Sequence, residues 1–249
     1  MPTADPYAMN PLRTLALIAL FVLPSCLEME QTITLEADGS GRQSLKMVVR
    51  ETTLKELQRA TPAAQLGPAP NPTAVFDKKL VEGELRAAGM ELVSHEAKKV
   101  PGKRSVEMEA KFADFAALQK SPLCGSSAEW VLTAGPKEGT AKLTLYPQGK
   151  AAWIEARAKA EEMVGKVEPV AADYFRKSQE KLTGLDVKIT FKLPGEVLIW
   201  TRNMERTGER EVTAVVTAEQ IQTPQDLVRR LAPRFEVIFA SAGCKLPLQ

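Results

Sequence analysis

LEMEQTITLEADGSGRQSLKMVVR, residues Leu27 to Arg50, is the stretch on which the fold turns. Leu27, Met29, Ile33 and Leu35 alternate with Glu28, Glu30, Thr32, Thr34 and Glu36, the period of a strand with one face buried. Asp38-Gly39-Ser40-Gly41 follows as a tight turn, because glycine reaches positive φ without steric cost. Leu45, Met47 and Val49 then face one side while Lys46 and Arg50 face the other. The stretch predicts a hairpin. A Gly-Ser-Gly phosphate cradle is the competing reading, but no glycine-rich fingerprint completes it and no helix opens directly after it.

Downstream, the same signature returns. Thr53 with Glu56 fits a capping box opening a short helix through Leu54, Leu57 and Ala60. Prolines 62, 68, 70 and 72 force an irregular loop over 61–73. A second helix is predicted from Thr73, with Phe76, Leu80, Leu85 and Ala88 on one face and Gly89 as its stop. A strand from Met90 turns at Pro101-Gly102 into Val106, Met108, Ala110 and Phe112, alternating with Glu107, Glu109 and Lys111. Asp114 caps a short helix. Trp130 to Leu132 and Leu143 to Leu145 form a further strand pair.

From about 151 to 182 a helical period runs through Trp153, Ala156, Ala160, Met163, Val167, Val170, Tyr174 and Leu182, with Pro169 as a kink. Val187 to Leu193, Val197 to Trp200 and Glu211 to Thr217 read as strands, Thr223 or Gln225-Asp226 starts a helix, and Phe235 to Phe239 closes the fold. One-faced strands joined by tight turns imply α+β architecture: an antiparallel sheet of hairpins with helices packed on one face, one of them long and kinked over about 151–182.

Upstream of the hairpin, Arg13 precedes an apolar run, Thr14 to Leu23, that ends in Leu23-Pro24-Ser25-Cys26. As a helix that run covers only ~15 Å against a hydrocarbon core of ~30 Å, too short to span. A plain secretory signal would end in small-x-small residues rather than at cysteine. The segment resembles the lipobox of bacterial lipoproteins, in which the small residue before the cysteine admits the peptidase and the thiol accepts diacylglycerol. The resemblance implies residues 1–25 as signal peptide, with Met9 as an alternative start, and residues 26–249 as one mature domain. It also implies a lipid anchor on Cys26 and a cell-envelope location. Leu27 stands where an aspartate would retain a lipoprotein in the inner membrane, so the outer membrane is expected in a two-membrane cell. With Cys26 lipidated, Cys124 and Cys244 remain as an even pair in an oxidising compartment, and a Cys124–Cys244 disulfide is expected; two free buried thiols are the alternative.

The cysteine running directly into a strand, then Asp38-Gly39-Ser40-Gly41 and a second strand, resembles the start of the LppM-type lipoprotein domain. Pro194-Gly195 and the strand Glu211 to Thr217 are similar to its later part. That resemblance implies a membrane-anchored α+β fold like lipid-binding cups, with no catalytic residues to carry over.

A search for chemistry finds little. The net charge of +2 comes from interspersed residues, which argues against a nucleic-acid partner. His95 is the single histidine, no Gly-x-Ser-x-Gly elbow occurs, and Cys-x-x-Cys is absent. Neither a cofactor nor a metal is implied, and an enzyme is not expected. Two readings stay open. In one, sheet and helix enclose an apolar or amphipathic ligand, with Trp153, Met163, Val167 and Tyr174 lining its opening; in the other, a closed core serves a protein partner in the envelope. A void above ~300 Å³ would favour the first.

Overall fold

Alternation in the first stretch becomes two paired strands. The computed structural model describes residues 27–60, 73–125, 127–162, 175 and 183–248. In it β1 (Leu27–Leu35) pairs antiparallel with β2 (Gly41–Arg50), Leu27 opposite Val49 and Leu35 opposite Gly41. Gly39 adopts φ +86° in the turn between them, a conformation costly for any residue with a Cβ. Ile33, Leu35, Leu45 and Val49 are buried, and Glu28 and Glu30 are exposed. β3 (Met90–Val100) and β4 (Lys103–Phe112) form the second hairpin, joined to β2 through β4. Val106, Met108, Ala110 and Phe112 are all buried, as their spacing requires.

The sheet does not end with hairpins. β7 (Leu185–Lys192) lies beside β1 and parallel to it, Leu27 opposite Leu185. β10 (Glu211–Thr217) and β9 (Met204–Gly208) follow antiparallel, giving the seven-stranded order β3-β4-β2-β1-β7-β10-β9. A second sheet has the order β5-β6-β11-β8, built from β5 (Glu129–Ala134), β6 (Thr140–Tyr146), β11 (Phe235–Ala240) and β8 (Val197–Trp200). The expected single sheet of hairpins is therefore two sheets with one parallel junction. Residue alternation sets which face of a strand is buried; it does not say which distant strand lies alongside. One buried cluster spans both sheets, and Trp130 of β5 meets Phe191 of β7 edge-on with ring centroids 6.0 Å apart.

The helices follow their caps. α1 (Glu51–Ala60) continues straight from β2, and the Glu51 N–H donates to the Gly102 carbonyl (3.0 Å). Thr53 consequently lies buried inside the helix rather than capping it. α2 (Lys78–Ala87) is capped by Asp77, whose Oδ1 accepts from the Lys79 and Leu80 N–H groups, and Gly89 at φ +79° ends the turn after it. Val81 and Leu85 are its buried positions; Leu80, expected on that face, is 48% exposed. Phe76 is buried from a separate 3-10 turn, Ala74–Phe76, so the helix starts later and its face rotates. α3 (Phe115–Gln119) is capped by Asp114, as the sequence indicated. α5 (Pro224–Leu231) opens on a full capping box between Thr223 and Asp226.

Of the long kinked helix expected over about 151–182, the described part is α4 (Lys150–Glu162). Residues 163–174 and 176–182, with the Pro169 kink, lie outside the described residues. Only Ala160 of α4 is buried, and the helix packs against α5 rather than across a sheet. Among the described residues no helix is long and apolar enough to cross a membrane.

Candidate functional site

Packing α4 against α5 opens a cleft of about 560 Å³ at their junction with the β8–β9 turn, within the range of small-ligand sites. Its lining holds five arginines, Arg157, Arg202, Arg229, Arg230 and Arg234, against two carboxylates, Glu161 and Asp226. Trp153 of α4 forms one wall. Its ring packs on Tyr146 (centroids 5.7 Å), with the Arg234 guanidinium 4.8 Å and the Arg157 guanidinium 5.8 Å from its own centroid.

Both carboxylates are already engaged. Glu161 Oε1 accepts from Arg157 Nε (3.0 Å), and Asp226 Oδ2 accepts from the Thr223 N–H (3.0 Å) and hydroxyl (2.7 Å). Arg234 reaches Glu236 only at 3.9 Å. Arg202 and Arg229 make no ion pair among the described residues. Arg230 is half-buried, its Nη1 is enclosed without a hydrogen-bond partner, and burial holds its guanidinium pKa below the usual value despite the opposing charge of Asp226. An enclosed, unpaired guanidinium N–H is costly unless something fills its place. The opposite wall is fixed. Asn203 Nδ2 donates to the Arg234 carbonyl (3.1 Å) and Thr201 Oγ1 accepts from the Glu236 N–H (3.3 Å).

Of the residues expected to line an opening, Trp153 is in this cleft. Met163, Val167 and Tyr174 lie outside the described residues, as does the lipidation candidate Cys26. The arginines were missed by the sequence reading, which took α5 for its apolar spacing alone. The signal was there in Arg229-Arg230-Leu231-Ala232-Pro233-Arg234, a dense basic run in a chain of nearly balanced charge.

Cys124 and Cys244 are both free thiols, so the expected bridge is not made. Cys124 sits over the centre of the large sheet, where its Sγ accepts from Gln43 Nε2 (3.0 Å) and Gln31 Nε2 (3.5 Å). Cys244 sits at the rim, next to Lys245, whose N–H donates to the Ala37 carbonyl. Gln31 and Gln43 occupy inward positions that alternation assigns to apolar residues, and both are buried. They are satisfied by the Leu123 carbonyl (3.0 Å) and by the Ser121 hydroxyl, which donates to Gln43 Oε1. Burial pushes the Cys124 thiol up to about 12, against the weaker pull of the Gln43, Gln31 and Trp130 donors. The Trp130 indole Nε1 faces this sulfur but falls short of hydrogen-bond geometry.

A measurable result follows. At pH 8 iodoacetamide is expected to modify Cys244 faster than Cys124 in the folded protein, since both are half-buried but only the Cys124 thiol is raised, as read by peptide mass spectrometry. The neutral thiol is favoured by folding, so its contribution is present below the ordinary pKa of 9.0 and is lost as pH rises towards 12. Stability should therefore fall over that alkaline window, and less so in Cys124→Ala.

Among the described residues no group of three or more acidic, histidine or cysteine side chains could hold a metal ion. No protein-family model and no curated protein matches the chain. Among solved structures it is similar to the NMR structure of the folded domain of Mycobacterium tuberculosis LppM, at a TM-score of 0.42 and 12% sequence identity, over 86% of this chain and 90% of that one. This is a weak structural match to the domain that the opening hairpin resembles.

Proposed function

We propose that the protein is a lipid-anchored envelope module that binds an amphipathic ligand by its anionic head, and that it catalyses no reaction. The observation that carries this reading is the arginine-lined cleft, with Trp153 on one wall. Guanidinium groups suit phosphate and carboxylate through parallel N–H bonds, and an indole face suits the apolar shoulder of such a ligand. A wholly apolar ligand does not suit a lining so rich in charge.

Binding of short-chain phosphatidic acid, below its micellar concentration, tests the reading by calorimetry. Arg230→Gln is expected to weaken it by about 10–100-fold, the worth of one charge-assisted hydrogen bond. Short-chain phosphatidylcholine should bind far less. Equal affinity for the two lipids, or no loss in Arg230→Gln, would overturn the proposal. A second reading, an interaction protein of the envelope, is favoured by β8. This edge strand exposes Leu198, Ile199 and Trp200 in succession, an apolar edge of the kind partners cover.

A further inference from the structure

The strand register gathers a basic corner at one end of the large sheet. Leu27 of β1 pairs with Val49 of β2, and Val49 with Arg104 of β4. One step further, Arg50 pairs with Lys103 and Lys103 with Val100 of β3. The β3–β4 turn, Pro101-Gly102, therefore projects from the same end at which β1 starts. Arg50, Lys98, Lys99 and Lys103 are exposed there, around a Val100 that is 49% exposed. Two carboxylates answer them: Glu96 on Lys98 (2.8 Å) and Glu51 on Lys99 (3.2 Å). Arg50 and Lys103 have no ion pair among the described residues.

The corner is also held in shape. The Glu51 N–H donates to the Gly102 carbonyl, which ties the turn to the start of α1. The Arg104 guanidinium stacks 4.3 Å from the centroid of the Phe76 ring. From Glu96 to Val100 every residue of β3 is exposed, so the hairpin stands clear of the core. At the opposite end, the β1–β2 turn, exposed Glu36 and Asp38 stand beside exposed Arg42, Lys111 and Lys192. Glu28 and Asp186 share the basic end but lie on β1 and β7, two and three strands from β4.

We propose that the β3–β4 turn seats on the anionic phospholipid surface of the membrane that holds the chain, with Val100 in the headgroup layer and Arg50, Lys98, Lys99 and Lys103 against lipid phosphates. The proposal rests on the reading that the chain is anchored just before Leu27, which puts this corner within reach of the bilayer. Each basic side chain near such a surface raises binding roughly fivefold, and salt screens the effect. Lysines on an edge strand also guard against strand pairing, but that role needs no lipid and no apolar tip.

The test uses the full chain in nanodiscs, with the chemical state of Cys26 read by mass spectrometry on the same sample. An environment-sensitive fluorophore is placed at Val100→Cys and, separately, at Leu248→Cys near the opposite end, both in a Cys244→Ser background. In nanodiscs of equal phosphatidylcholine and phosphatidylglycerol the Val100→Cys label should shift to the blue, and the Leu248→Cys label should not. The shift should be lost in pure phosphatidylcholine, in high salt, and in a Lys98→Gln/Lys99→Gln/Lys103→Gln variant whose circular dichroism is unchanged. A label at Val100→Cys that stays aqueous in anionic nanodiscs overturns the proposal whatever the state of Cys26, as does a shift that survives loss of the three lysines. An unmodified Cys26 with the shift intact overturns only the lipid anchor.

Discussion

Phe191→Ala is expected to lower the free energy of unfolding by about 3–5 kcal/mol, the range for removing a fully enclosed aromatic ring. Phe191 is 1% exposed and lies between Ile33 of β1 and Val212 of β10 in the register. Across the core its ring meets Trp130, itself 3% exposed. The ring thus fills the space between two sheets that share no strand pairing, and alanine would leave a cavity against both. Urea unfolding followed by tryptophan fluorescence measures the change directly. Val93→Ala, at a position 44% exposed, should stay within about 0.5 kcal/mol. A loss below about 1 kcal/mol at Phe191 would mean that the sheets are not held together there.

The second large effect is Gly41→Ala. A Cβ at this position would overlap the Thr34 carbonyl oxygen and the edge of the Phe112 ring. The oxygen belongs to the adjoining strand, so it moves only if the pairing of Leu35 with Gly41 moves too. Phe112 is 2% exposed and packed within the core cluster. Overpacking of this kind costs about 1–3 kcal/mol, and the fixed backbone places Gly41→Ala at the upper end. Gly83→Ala is the matched control. Nothing lies within 4 Å of the point its added methyl would occupy, and removing a glycine from inside α2 should stabilise by up to about 1 kcal/mol. Chemical denaturation of both variants checks the pair, and equal shifts would refute the crowding at Gly41.

What could be read beforehand was local. The half-buried strands at Leu27, Leu45, Val106 and Val187 were legible because burial on one face writes a period of two into the chain. So was the cap at Asp114, and Thr223 was one of two starts offered for the last helix. Three things were not. β9 is short and mostly polar, Met204 to Gly208, and carries no period. The parallel junction of β1 with β7 joins residues far apart, and neither strand marks the other. Gln31 and Gln43 look like surface positions until the Cys124 turn is folded over them, because their satisfaction is tertiary. The cleft fell between these cases. Trp153 was singled out as lining an opening, but beside apolar neighbours of its own helix, whereas the arginines that share its cleft come also from α5, the link after it and the β8–β9 turn.

The parallel junction sets a condition on the order of events in the cell. β1 is the first of the described strands to be made, yet one of its long edges is covered by β7, which begins at residue 185. Closing so long a loop is slow compared with forming the β1–β2 hairpin. In the interval the edge of β1 that will take β7 offers free amide and carbonyl groups to any neighbouring chain. Folding of this protein should therefore lean on holding chaperones until nearly the whole chain has been made.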